Sequence, residues 1–168
     1  MYTVIEGGVT AAAGFETAST AAGIKYKNRK DMAMIYSEKP CRAAGTFTTN
    51  IVKAAPVKWD QKIVKESEYA QAVVINAGIA NACTGAEGMG YCAETAQAAS
   101  AALNVPESAV LVASTGVIGM QLPMDKLKAG IEAMAPELSG TIESGTEAAK
   151  SIMTTDTISK EIAIETQI

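Results

Sequence analysis

Short apolar runs and helical patterns take turns along this chain, separated by glycine, proline and clusters of hydroxyl residues. Ala72-Val73-Val74-Ile75-Asn76 is almost wholly apolar, the pattern of a strand buried on both faces. Ala109-Val110-Leu111-Val112-Ala113 reads the same way and delivers Ser114-Thr115-Gly116 at its end. Met32 to Ser37 and Ala44 to Thr49 are strand-like, with Pro40 between them as a turn residue. Gly7 to Phe15 reads as a strand entering a glycine-bounded turn. The last eight residues alternate, with Ile162, Ile164 and Ile168 on one face and Glu165 and Gln167 on the other; this predicts a half-buried strand. It ends at Ile168 without a turn or polar tail, which predicts that the chain continues in a cleaved or truncated parent.

Helical spacing fills the gaps. Gly85 to Gly90 opens an alanine-rich helix to about Leu103, with Ala96, Ala99 and Leu103 on one face and Pro106 closing the segment. Pro123 suits the first position of a helix over Met124 to Ile131, whose stripe is Met124, Leu127, Ile131 and Met134, and Pro136 stops it. A shorter helix, Thr146 to about Met153, leads into Thr154-Thr155-Asp156-Thr157. There is no repeat, linker or low-complexity tract, so residues 1–168 read as one domain of α/β class, with layered sheets flanked by helices.

Composition sharpens this picture. Apolar residues make up 48% of the chain and charged residues 19%, enough for a packed core of small side chains. The mean hydropathy of +0.14 is high for a soluble monomer; an alanine-rich core and a surface covered by a partner both account for it. The net charge of −4 and the lack of a basic block exclude nucleic acid as an expected partner. Lys25, Lys27, Arg29 and Lys30, followed by Asp31, read as a solvated turn. No apolar run reaches the roughly 18–20 residues of a membrane span, and the first residues lack a secretion signal. Cys41, Cys83 and Cys92 are odd in number and form no CxxC, which predicts reduced, mostly buried thiols in the cytoplasm.

The most useful count is histidine: there is none. That removes the commonest general base and zinc ligand, so a Ser–His–Asp or Cys–His site cannot be built from this chain, and no metal is expected.

Ala113-Ser114-Thr115-Gly116-Val117-Ile118-Gly119 is the richest chemical candidate. A strand brings a hydroxyl and a glycine to its carboxyl end, where ligands collect in open α/β sheets. A glycine N–H and a threonine hydroxyl converging on one point would hold a tetrahedral oxyanion; an ordinary turn is the plainer reading. Thr154 to Thr157 offers hydroxyls, with Asp156 able to orient a neighbour or to form an Asx turn. Gly85-x-x-Gly88-x-Gly90 lacks the P-loop Lys-Ser/Thr and the dinucleotide spacing, and reads as a packing turn. Met32, Met34, Met89 and Met120 read as gap-filling core or interface residues.

In order, these segments resemble the amino-terminal half of the ornithine acetyltransferase (glutamate N-acetyltransferase) family of arginine biosynthesis. The resemblance is carried by Gly8-Val9-Thr10-Ala11 with Gly14-Phe15, by Lys30 to Ser37, and by Ala44 to Asn50 with Lys53 to Val57. It continues through Asn81 to Gly85, Ser114 to Gly119, Leu122-Pro123-Met124 and Ile152 to Thr157. It implies a precursor that cuts itself before an internal threonine. That threonine, at the start of a separate β chain that completes the fold, becomes the nucleophile. It implies acetyl transfer from N-acetylornithine to glutamate, with no cofactor and with acetyl-CoA accepted by some members. An amino-terminal threonine with its own amine as base suits a chain without histidine. The resemblance gives Thr115 and Gly116 the oxyanion hole, Thr154 a substrate contact, and an (αβ)2 heterotetramer. The family's glycine-rich Lys-Gly segment and its cleavage site are absent here, so neither the nucleophile nor the substrate-binding lysine is on this chain. Asn76-Ala77-Gly78-Ile79-Ala80-Asn81 departs from the family's Asn-Ser-Gly-Asn-Ala-Asn, which removes any polar role at positions 77 and 79. Two rival readings are a related self-processing aminopeptidase with an amino-terminal serine, and a binding or structural domain without activity.

Overall fold

β-branched and small residues dominate the strands, and proline and glycine divide them from the helices. The structure, a computed structural model, describes residues 1–167. In chain order the strands are β1 (Tyr2–Ile5), β2 (Phe15–Thr20), β3 (Met32–Cys41), β4 (Ala70–Ile79), β5 (Val110–Val117) and β6 (Ala163–Thr166). The helices are α1 (Ala55–Glu66), α2 (Glu87–Leu103), α3 (Met124–Met134) and α4 (Ile142–Ser151). Strands β2-β3-β4-β5 form one sheet in that order; only β4 and β5 run parallel, with α2 as their crossover. β1 and β6 pair antiparallel as a separate ribbon.

One sheet face carries Met32, Met34, Val74 and Val110 and packs on α2 and α3. Ala96 and Ala99 of α2 are fully buried, and their small side chains let that helix lie close to the strands. Leu127, Ile131 and Met134 of α3 complete this core. Burying each large side chain is worth about 1.5–3 kcal/mol. The opposite face carries Thr17, Ala33, Ile35, Val73, Ile75, Leu111 and Ala113. Here α4 covers only the β2–β3 side, where Ser144 Oγ bonds Thr17. Ile35, Val73, Ile75, Leu111 and Ala113 are only partly buried.

Several local readings change. Gly7 to Gly14 is not itself a strand: a 3-10 turn (Val9–Ala11) fills it, with β1 ending before it at Ile5 and β2 starting after it at Phe15. Residues 44–49 form no strand, and β3 continues through Pro40 to Cys41. Its register with β4 is irregular between Tyr36 and Cys41, where a residue without an N–H is tolerated. β4 is buried chiefly on one face, not both, since the chain covers only part of the other. Helix α1 occupies a stretch the pattern left unassigned. α4 starts at Ile142 rather than Thr146, because the Thr141 side chain accepts the Ser144 N–H as an N-cap. Pro123 precedes α3 as its N-cap residue.

In the carboxyl-terminal strand the buried position is Ala163, while Ile162 and Ile164 are 71% and 56% exposed. The alternation is real, but nothing in the described chain covers the isoleucine face. Ile168 lies outside the described residues. Met32 and Met34 are core, whereas Met120 is 45% exposed. Of the three thiols only Cys92 is buried; Cys83 is exposed.

Candidate active site

The candidate site is built on the outer edge of β5, which has no neighbouring strand among the described residues. Helix α1 lies along the first half of that edge. Trp59 Nε1 donates to the Val110 carbonyl at 3.0 Å, and Val112 N–H donates to Asp60 Oδ1 at 2.9 Å. Backbone groups alternate sides along a strand, so Val110, Val112, Ser114 and Gly116 present theirs outward. The inward set is confirmed at Val117, whose carbonyl accepts the Ala80 N–H at 2.9 Å. The Gly116 N–H therefore points away from β4, beyond the stretch that α1 closes. By the same alternation Thr115 shares a sheet face with Leu111 and Ala113, the incompletely covered one.

Thr115 and Gly116 lie inside the strand rather than in a turn, because β4 stays paired through Ala77↔Thr115, Gly78↔Gly116 and Ile79↔Val117. Gly78 and Gly116 sit side by side with φ of 127° and 132°. A Cβ on Gly116 would fall 2.2 Å from the carbonyl carbon of Gly78, so only glycine permits this approach. Beneath them Ser114 Oγ donates to Asn76 Oδ1 at 2.6 Å, and Asn76 Nδ2 donates to the Ile79 carbonyl at 2.9 Å. This buried pair fixes both strand ends. A hydroxyl on the open face and a neighbouring free amide at the edge can together receive charge developing on a carbonyl oxygen.

Thr154 follows α4 and is partly buried. It reaches the same end of the sheet: Met153, its neighbour, accepts a hydrogen bond from Arg29, in the loop between β2 and β3. Asp156 pairs with Lys160 at 2.6 Å in an exposed turn. Of the Gly85–Gly90 segment only Gly88, already within α2, is closely packed: a Cβ there would lie 2.2 Å from Thr84 Oγ1, whereas nothing lies within 4 Å of one on Gly85 or Gly90. An apolar cavity of about 210 Å³ lies between α4 and the open face, lined by Ala33, Ile35, Ile75, Ala148 and Ile152 among others; Thr115 and Thr154 are not part of it.

The most perturbed acids and thiols lie elsewhere. Burial pushes the Asp60 carboxyl up to about 6, against the opposing Val112 hydrogen bond. Burial also pushes the Cys92 thiol up to about 12, with the Asp60 charge adding to it and the Asn81 hydrogen bond opposing. Such a thiol is inert at neutral pH. Glu147 is lowered by hydrogen bonds from Lys150 and Lys30. These are scaffold groups.

Sequence reasoning missed Asn76, Trp59, Asp60 and the role of Arg29. The spacing of Pro56, Trp59 and Ile63 is a helical signal that went unused, and no local pattern says that the Trp and Asp of this helix close a strand edge.

Comparison with known proteins adds an independent line. Residues 16–168 match the family described as the ArgJ family. The arginine biosynthesis bifunctional protein ArgJ of Symbiobacterium thermophilum is 50% identical over 166 residues, 98% of this chain and 40% of its own length. That of Mycolicibacterium paratuberculosis is 46% identical over 95% of this chain and 41% of its own. The chain thus spans about 40% of the length of the relatives it matches. A crystal structure of the Bacillus halodurans ArgJ protein superposes with a TM-score of 0.90 at 37% identity, over 98% of this chain and 86% of that one. The ornithine acetyltransferase of Mycobacterium tuberculosis, crystallised with ornithine, gives 0.93 at 44% identity, over 98% and 88%.

Proposed function

The chain belongs to the ArgJ family, and from that premise we propose that it is the amino-terminal (α) part of an acyltransferase that moves acetyl from N-acetylornithine to glutamate. The observation that carries this is the outward Gly116 N–H beside Thr115, at the rim of an incompletely covered sheet face. The nucleophile comes from the rest of the polypeptide, a β chain whose first residue is the threonine freed by self-cleavage. Its hydroxyl oxygen attacks the acetyl carbonyl carbon while its own α-amine takes the proton. The carbonyl electron pair moves onto oxygen, where the Thr115 hydroxyl and Gly116 N–H hold it. Collapse expels ornithine's amine, which takes the proton back, and glutamate's amine then reverses the sequence. Thr154 contacts the substrate. No cofactor is needed, and acetyl-CoA is an alternative acetyl donor.

Two apolar surfaces support a partner chain. One is the partly buried row Ile35, Val73, Ile75 and Leu111; the other is the ribbon face with Val4, Ile162 and Ile164 at 60%, 71% and 56% exposure. A chain packed on the sheet row lies on the face that also carries Thr115. An (αβ)2 assembly and a cytoplasmic location belong to the same reading; among the described residues no helix is long and apolar enough to cross a membrane.

The test is kinetic, on the protein isolated together with its partner chain. Thr115→Ala lowers turnover on the order of 10²-fold, and Thr154→Ala chiefly raises the KM for N-acetylornithine. Unchanged turnover in the first variant rejects the oxyanion assignment. Hydrolysis of peptide amides in place of acetyl transfer would instead identify a self-processing aminopeptidase.

A further inference from the structure

The loop between β2 and β3, a run of basic residues, is anchored more firmly than a solvated turn. Asp31, fully buried, accepts the N–H groups of Ala22, Gly23 and Ile24 at 2.8, 3.2 and 2.6 Å. Lys126 Nζ donates to the Gly23 carbonyl at 2.7 Å. At its other end the Asp31 carbonyl accepts the Ala77 N–H at 2.8 Å, next to Gly78. The loop root is thus fixed to the sheet end where β4 and β5 finish.

From this root Lys25 and Tyr26 fold over Gly78: a Cβ placed there would meet Lys25 Cβ at 2.8 Å and Tyr26 Cε2 at 3.5 Å. The Arg29 guanidinium stacks on the Tyr26 ring, its carbon 4.3 Å from the centroid, and one of its nitrogens donates to the Met153 carbonyl. A continuous set of contacts therefore runs from Gly116 to Gly78, Tyr26, Arg29, Met153 and Thr154. A guanidinium can stack with its face and donate with its edge at once, which a lysine ammonium cannot do. We propose that Arg29, seated on Tyr26, is a positioning residue that sets the Thr154 turn at a fixed distance from the oxyanion-holding strand end. This rests on the function proposed above. The gain is preorganisation: the two substrate-handling elements come from different parts of the chain, and Arg29 removes the freedom between them before substrate arrives. Asp31 holds the loop root without Arg29, so losing Arg29 frees the 153–157 turn and leaves the sheet intact.

The test is a double-mutant cycle in the full-length, self-processed enzyme. Arg29→Ala raises the KM for N-acetylornithine on the order of 10-fold, with kcat little changed. Arg29→Lys recovers little of that loss, and Lys27→Ala, an exposed charge in the same loop, changes neither constant. Arg29→Ala combined with Thr154→Ala is no worse than Thr154→Ala alone, the sign that one residue acts through the other. Strictly additive effects, or an unchanged KM in Arg29→Ala, overturn the proposal. Absence of acetyl transfer in the wild type would sink the functional reading by itself. The clamp is read separately by amide hydrogen exchange over residues 153–157, faster in Arg29→Ala if the clamp exists; equal exchange in the two proteins overturns it.

Discussion

Strand β5 runs unbroken from Val110 to Val117, but the two halves of its outer edge are treated in opposite ways. Along Val110–Val112 the missing neighbour strand is replaced by Trp59 and Asp60 of α1, which pair with one carbonyl and one N–H. Along Ser114–Gly116 no side chain covers the edge among the described residues: Ser114 Oγ donates to Asn76 Oδ1, and Gly116 is exposed. Closing an edge requires polar side chains to be buried, and that burial is what raises the Asp60 carboxyl. Leaving an edge open supplies a hydrogen-bond donor and perturbs no ionisable group. In this molecule strongly shifted groups therefore mark the scaffold, and the proposed chemistry sits on neutral donors beside them. On the function proposed above, the usual inference from perturbed acids to active sites points away from the site.

The open half is broken most severely at Gly116. Gly116→Ala adds a Cβ 2.2 Å from the Gly78 carbonyl carbon at a φ of 132°, so strand β5 must move away from β4. The expected loss is about 3 kcal/mol or more, in the range reserved for core overpacking and backbone strain. Gly119→Ala is the control. Its φ of 82° is also positive, yet nothing lies within 4 Å of the added carbon, and the expected cost is about 1–2 kcal/mol. Urea midpoints of the assembled protein separate the two. Equal shifts would mean that the close approach of Gly78 to Gly116 carries no weight.

That contrast also marks what could be read from the sequence. Ala72 to Asn76 and Ala109 to Ala113 were legible as strands, and Leu127, Ile131 and Met134 as a helix stripe, because each pattern lies within one element. Thr115 and Gly116 were legible as a hydroxyl and a glycine at the end of a strand; their pairing as donors is what the resemblance implies. What escaped depends on contacts between distant residues. Ala44 to Thr49 has strand-like residues but no partner strand, so its propensity is not realised. The pairing of Val4 with Ile164 spans nearly the whole chain, and alternation alone could not say which face would be covered. Arg29 looked like one charge in a solvated run; only the fold brings it to Met153. Nothing in residues 76–79 announces that Gly78 will face Gly116 across a parallel pair.

The closed half is broken by removing its side chains. Asp60→Ala leaves the Val112 N–H without its acceptor, and Trp59→Phe leaves the Val110 carbonyl without its donor. Each is expected to cost about 1–3 kcal/mol. Turnover per folded molecule stays unchanged, because neither residue reaches Gly116. A fall in kcat as large as that of Thr115→Ala would show that the two halves are not independent, and the contrast between them would fail.

The finest test uses Asp60→Asn, which keeps an acceptor for Val112 and removes only the charge. The folded carboxyl titrates near 6, above its ordinary value of 3.8, so the native state binds this proton more tightly than the unfolded chain does. The stability it contributes is fully present below about pH 4 and is lost as pH rises through about 6, where the carboxyl must ionise in a partly desolvated place. The asparagine side chain does not titrate. The stability of Asp60→Asn relative to the wild type should therefore increase from pH 4 to pH 7, by up to about 1 kcal/mol once solvent screening of a partly exposed group is allowed for. Paired urea titrations at the two ends of that interval measure it. A flat difference would mean that the Val112 N–H, and not burial, governs the carboxyl; a difference of opposite sign would mean that the ionised Asp60 is a stabilising edge cap outright.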